Sequence, residues 1–290
     1  MRLRSFISLS ETTQNLLQSK NANLIAIPSV TPFLVADEAK EKQILMVAHS
    51  SQRATELAQE LAELIDGVME FPAWETLPHE KLSPNSDTVA RRINTLLNIN
   101  QAKVVVTSAR ALVQPIVASA IELPLLQISR GQEIEFEILI SELVLRAYNR
   151  VDMVERRGDF AVRGGIIDVF PPLSAHPVRI EFLGDEIDEL KYFEISDQRS
   201  FEAINSPLTL IPCREVLITD DVKDRARDLR VKYPELLGMC NKIEEGIYVE
   251  GIESLAAVLT PNMKTLVEYI SEGSKVILLE QERIKSRVQD

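Results

Sequence analysis

The stretch from Gly158 to Arg199 leaves this chain little choice but a small antiparallel sheet. Short β-type runs are parted by turn residues at Gly164-Gly165, Pro171-Pro172 and Gly184-Asp185, and the runs flanking Gly184-Asp185 can pair as a hairpin. Side chains alternate across a strand, so in Val178 to Leu183 the residues Val178, Ile180 and Phe182 share one face, and Arg179, Glu181 and Leu183 the other. In Phe160 to Arg163, Phe160 and Val162 take one face, Ala161 and Arg163 the other. If the apolar faces form the core, Arg163 and Arg179 both stand on the open face, which is a docking surface in outline. Taken alone, two arginines outside a sheet are usually solvated charge.

The remaining composition narrows the function classes. With 290 residues the chain can form two domains or three small ones, and 45% apolar with 26% charged residues is ordinary for a globular protein. No apolar run approaches the roughly 20 residues of a membrane span, and the start is too short in apolar residues for a signal peptide. Cys213 and Cys240 are far apart and read as reduced thiols of a cytoplasmic protein. His49, His79 and His176 form no ligand pattern, so no metal is expected. A net charge of −12 favours a protein partner over nucleic acid, whose phosphates select basic surfaces.

Along the chain, strands are expected over Asn23–Ile27, Gln43–Ala48, Val68–Phe71 and Lys103–Thr107. They alternate with helices over Ser51–Ile65 (capped by Ser50 or Ser51), after Asp87, and from Ser108 until Pro115 interrupts. That alternation predicts a parallel sheet with helices packed on it, ending near Pro124. Further on come a helix over Glu135–Ala147 and a strand over Val151–Glu155. Arg146, Arg150 and Arg156-Arg157 read as a solvated cationic rim near Arg163. Past Cys213 the composition shifts: a charged surface helix over Asp220–Tyr233, another over Gly251–Leu259, strands over Leu266–Ile270 and Lys275–Leu279, and a helix from Gln281.

A nucleotide-hydrolysing fold would place its phosphate loop after the first strand, with glycines to let amides close on phosphate and a lysine to meet the charge. Here the chain reads Ile27-Pro28-Ser29-Val30-Thr31-Pro32-Phe33-Leu34-Val35, without glycine or lysine and with two prolines that remove donors. It cannot cradle phosphate in that way. Trp74, in the proline-bounded loop Phe71 to Pro84, reads as an anchor into the core rather than a platform for a base.

The wording Phe-Ala-Val-Arg-Gly-Gly-Ile-Ile-Asp-Val-Phe-Pro from Phe160, followed by Arg-Ile-Glu-Phe, Asp-Glu-Ile and Gln-Arg-Ser, resembles the second domain of the UvrB-homology module. That module is shared by the excision-repair protein UvrB and the transcription-repair coupling factors, and in both this domain binds UvrA. UvrB keeps an intact phosphate loop and a long tyrosine-rich hairpin after the strand that ends at Phe71; the coupling factors have neither. The short tyrosine-free segment Phe71-Pro72, Trp74 to Pro78 and Ser83-Pro84 resembles the coupling-factor wording. The resemblance covers nearly all of the chain and is weakest after Cys213.

What the resemblance implies is an α/β fold: a parallel-sheet domain of degenerate, helicase-like nucleotide-binding type, interrupted by an inserted α+β domain with an antiparallel sheet. Its parts would be residues 1–124, then 125–212 as the UvrA-binding domain, then 213–290 completing the first, ending in a cut-off helix. Carried over by position, Arg163, Arg179, Phe182 and Leu183 would form the UvrA contact, with Leu183 standing where the family commonly has a second phenylalanine. The chain would be a recruiting module rather than an enzyme, without cofactor. ATP and magnesium, and contacts to RNA polymerase and double-stranded DNA, belong to the motor and other domains of the longer family proteins. Two alternatives are an intramolecular clamp that uses the same face and a UvrB-type ATPase.

Overall fold

The computed structural model describes residues 28–77 and 80–289, so the strand expected over Asn23–Ile27 lies outside the described residues. Among the described residues twelve strands follow in chain order. The first four are β1 (Ile44–Ala48), β2 (Val68–Phe71), β3 (Val104–Ser108) and β4 (Leu126–Ile128). Next come β5 (Asn149–Arg150), β6 (Asp159–Arg163), β7 (Ile166–Val169) and β8 (Val178–Leu183). The last are β9 (Glu186–Phe193), β10 (Ser200–Ala203), β11 (Leu208–Leu210) and β12 (Lys275–Leu278). Internal contacts divide the chain into two units: one holds the described residues to Ala73, Thr95–Pro115 and those from Thr265, the other Trp74–Asn94 and Ile116–Lys264. Residues 213–264 therefore pack with the middle of the chain, whereas the resemblance implies a boundary at 213.

In the first unit a parallel sheet runs in the order β12-β1-β3-β2. Every residue of β1 and β3 is buried, as expected when a parallel sheet is covered on both faces and its strands become continuous apolar runs. The helix Ser51–Ala62 starts at Ser50, whose Oγ accepts from the Arg53 amide at 3.3 Å, and sets Ala54, Leu57, Ala58 and Leu61 against Ile44, Met46, Val104 and Val106. Ser108 caps Ala109–Val113 in the same way, and that helix ends before Pro115. Pro28–Val30 form one 3-10 turn leading into the helix Thr31–Glu38, with Pro32 in its first turn. The strand expected over Leu266–Ile270 is instead a 3-10 turn, Leu266–Tyr269: Thr265 and Glu268 form a reciprocal capping box that satisfies the amides of a helical start.

In the second unit six strands run in the order β10-β9-β8-β7-β6-β5, antiparallel except for β5 and β6. Two residues join β8 to β9, and Gly184 at φ 66 supplies the left-handed backbone such a tight turn requires. The helix Phe136–Leu145 buries Leu139, Ile140 and Leu143. The strand expected over Val151–Glu155 does not form. Val151 N–H makes the last ladder bond, to Phe160 O at 2.9 Å, and residues 151–155 then run irregularly. Arg146 is no rim residue either: it is buried, donating to Pro124 O at 2.6 Å and pairing with Glu142. Residues 220–259 add a helical cluster in which Val222 and Ala226 of Asp220–Lys232 pack with Cys240, Ile243, Ile252 and Leu259. No described helix is long and apolar enough to cross a membrane.

Two anchors in this unit fix the loop that follows Ala73. Trp74 is 9% exposed, and its Nε1 donates to Glu215 Oε1 at 2.9 Å, the same oxygen that accepts from Arg92 Nε at 2.5 Å. Ser83 Oγ donates to Glu253 Oε2 at 2.6 Å and accepts from Gly251 N–H at 3.0 Å and from Arg214. Gly251 sits at φ +76, and a Cβ there would meet the Lys81 backbone at 2.9 Å, so the position needs glycine on both counts.

Candidate interaction face

Strand register assembles the face. Residues directly opposite in an antiparallel pair put their side chains on the same side of the sheet. Ala161, Asp168, Arg179 and Lys191 thereby form one cross-strand row, and Arg163, Ile166, Glu181 and Glu189 the next. The expectation that Arg163 and Arg179 share a face holds. Their surroundings differ. Arg179 grips Asp168 with both arms of its fork, Nε to Oδ1 at 2.7 Å and Nη2 to Oδ2 at 2.9 Å, and Nη1 donates to Gln198 O at 3.2 Å. Its guanidinium lies 5.0 Å from the Phe193 ring centroid. Hydrogen bonding to Asp168 raises its pKa further above the ordinary arginine value. Asp168 is buried.

Beneath this end of the face, Phe193 joins Ala161, Val154 and Phe170 in a second small core. The arginine face is therefore open over only part of its extent. Arg163 is exposed and donates through Nη2 to Asp152 O at 2.7 Å. Lys191 lies between Glu181, at 3.5 Å, and Glu189, which it contacts closely; hydrogen bonding between Lys191 and Glu189 raises the lysine's pKa and lowers the carboxylate's.

Phe182 and Leu183 part company. Phe182 lies opposite Ile187, which is fully buried, and meets the Phe136 ring edge-on at 5.0 Å and 83°. Leu183 pairs with Glu186 at the hairpin end and is 74% exposed, a large apolar side chain held out in solvent. Arg163 and Leu183 are the openly presented members of the predicted set, Arg179 is a half-buried brace, and Phe182 packs inward. Sequence reasoning missed Asp168 as the partner of Arg179. The signal was available: a carboxylate inside the apolar run Ile166 to Phe170 needs a cation opposite it.

The region that holds this sheet is also where the chain matches a known family. Residues 126–215 match the family described as the UvrB interaction domain. Over 287 residues, 92% of the chain, it is 38% identical to the transcription-repair-coupling factor of Mycobacterium tuberculosis, covering 23% of that protein. It is 30% identical over 252 residues to that of Myxococcus xanthus, 80% of this chain and 21% of the relative. It is 32% identical over 188 residues to that of Escherichia coli, 63% of this chain and 16% of the relative. Over nearly its whole length the chain is thus similar to the transcription-repair-coupling factors, of whose length it spans about a quarter, and residues 126–215 match the UvrB interaction domain.

Proposed function

We propose that this chain is a recruiting module of transcription-coupled excision repair, which docks UvrA through the open part of the antiparallel sheet. The observation that carries this reading is the exposed pair Arg163 and Leu183 on a sheet lying wholly within the matched residues 126–215. An arginine fork suits bidentate contact with carboxylates and desolvates more readily than lysine, and an exposed leucine on the same sheet supplies an apolar anchor. Arg179 contributes by shaping the face, since its own fork is held by Asp168.

In this reading the parallel-sheet unit is a degenerate nucleotide-binding fold that serves as scaffold and hydrolyses nothing. The glycine-free turn Pro28–Val30 with Pro32 beyond it supports that assignment, because a phosphate cradle needs the backbone amides that prolines lack. The anchoring of Trp74 and Ser83 likewise supports a structural loop rather than a DNA-gripping one. ATP-driven translocation, and contacts to RNA polymerase and double-stranded DNA, are assigned to other parts of the longer proteins.

The test is a titration of the chain against UvrA, with Arg163→Glu and Leu183→Glu beside the wild type. Both variants should keep their stability within about 0.5 kcal/mol, as exposed substitutions do, and lose binding by roughly tenfold or more. Arg179→Glu is a poorer probe, because it sets a second carboxylate against buried Asp168 and would unsettle the sheet. Binding that ignores both exposed variants would remove this face from the function.

A further inference from the structure

Beside Arg163 the sheet is left unfinished. β5 supplies two residues, and its ladder with β6 ends where Val151 N–H donates to Phe160 O. Within a strand, every second residue turns its N–H and C=O to the same side. Since Phe160 O faces β5, the N–H and C=O of Val162 face the same edge, one step past the point where β5 leaves. Among the described residues no backbone group meets them there. At this place a groove of about 530 Å³ opens, lined by Arg150, Val151, Asp152, Val162 and Arg163. Arg150 is exposed, and Arg163 uses one of its five N–H donors on Asp152 O.

We propose that this groove takes an extended, acidic segment of a protein partner by strand addition at the β6 edge. The backbone of such a segment would pair with Val162, and carboxylates on either side would meet Arg150 and Arg163. Main-chain bonds at an open edge supply affinity and flanking side chains supply the choice of partner. Two guanidinium groups against the single carboxylate of Asp152 make the charge of the occupant negative. An extended peptide fits better than nucleic acid: the edge offers a paired backbone donor and acceptor, and the groove's lining includes no aromatic ring on which a base could stack. The inference deepens the recruitment reading and rests on it, since it names the form in which the partner would engage the same sheet.

The experiment follows backbone amides of the isotope-labelled 290-residue chain by NMR while acetylated hexaglutamate is added, for wild type and Arg150→Glu. Saturable shifts centred on Val151 and Val162 are expected, with Arg150→Glu weakening the peptide by roughly tenfold or more, the scale of one lost charged contact. Shifts that spare Val162, centre on the exposed Arg156-Arg157 pair, or survive unchanged in Arg150→Glu overturn the slot. A parallel titration of Arg150→Glu and Leu183→Glu against UvrA separates the two readings. Saturable, Arg150-dependent peptide shifts without any UvrA binding keep the slot and remove UvrA as its partner. UvrA binding that falls in Leu183→Glu but is unchanged in Arg150→Glu keeps the recruitment reading and removes the slot.

Discussion

The two units are held together by different chemistry. Among the described residues, the buried charged side chains Arg92, Arg146, Asp159, Asp168, Glu215 and Glu253 all lie in the second unit. The buried polar residues of the first are Thr95, Thr107 and Ser108. Thr95 and Thr107 each donate a hydroxyl to a carbonyl of β2, Glu70 O at 2.8 Å and Phe71 O at 2.9 Å. A parallel sheet covered on both faces leaves a neutral interior that apolar packing alone can fill. In the second unit, charged groups sit where chain must be pinned to chain: Arg92 with Glu215 under Trp74, Arg179 on Asp168, and Arg214 with Glu253 at Ser83. A buried charge is costly unless paired, so each of these positions ties fold stability to one specific partner.

The largest effect should come from breaking one such pair. Arg92 is fully buried, and Arg92→Leu leaves the Glu215 carboxylate buried without its cation. Removing one partner of a buried pair costs about 3–5 kcal/mol, read as a fall in urea stability with faster hydrogen exchange at residues 74–94 and 116–264. A loss below about 1 kcal/mol would mean that the charged interior is incidental, and the contrast between the units would collapse.

The apolar counterpart is Leu57→Ala, at a fully buried position in the core of the parallel sheet. A loss of about 2–5 kcal/mol is expected, with its size set by how far the cavity collapses. The sharper expectation is that this loss is the same at acidic and neutral pH, because among the described residues the buried polar side chains of this unit are the hydroxyls of Thr95, Thr107 and Ser108, none of which ionises in that range. A pH-dependent loss would tell against a neutral interior. Next in size is Asp168→Ala, which takes both acceptors from the Arg179 fork. Charged hydrogen bonds of this kind are worth about 1.5–3 kcal/mol, measured by denaturation against Arg163→Ala on the same face, which should move stability by less than about 0.5 kcal/mol. Equal losses at the two positions would erase the distinction between brace and contact.

That distinction also marks how far the sequence could be read. Period-two alternation placed Arg163, Arg179 and Leu183 on one face and Phe182 on the other, because side-chain direction in a strand is local. The strands β1, β2, β3 and β12 were legible as apolar runs, and Ser50 and Ser108 as helix starts, for the same reason. What escaped was set by residues far apart in the chain. The burial of Arg146 depends on Pro124, and the closing of the arginine face at one end on Phe193 and Phe170. The irregular run after Val151 reflects a ladder that β6 alone does not complete. The turn at Leu266–Tyr269 departs from the expected strand for a local reason: its apolar residues look like a strand, but the Thr265–Glu268 box decides for a helical start.

The gentlest test of the contrast uses pH on the second unit. Glu253 accepts from Ser83 Oγ at 2.6 Å and from Arg214 Nη1 at 3.1 Å, yet burial dominates and raises its pKa above the ordinary 4.5. The sign follows from proton binding. A carboxyl with a raised pKa holds its proton more tightly folded than unfolded, so its contribution is fully present below 4.5 and is lost as pH rises through the folded value. Glu253→Gln keeps the shape, retains an oxygen that can accept from Arg214 or Ser83, and cannot ionise. Thermal melts from pH 4 to 7 should therefore show wild type losing stability relative to Glu253→Gln across that window. The effect is smaller than the others because Arg214 and Ser83 oppose burial. A relative gain for wild type as pH rises would mean that the ion pair with Arg214 outweighs the cost of burial. In that case Ser83 is held by a favourable charge pair, and the loop it anchors should tighten rather than loosen towards neutral pH.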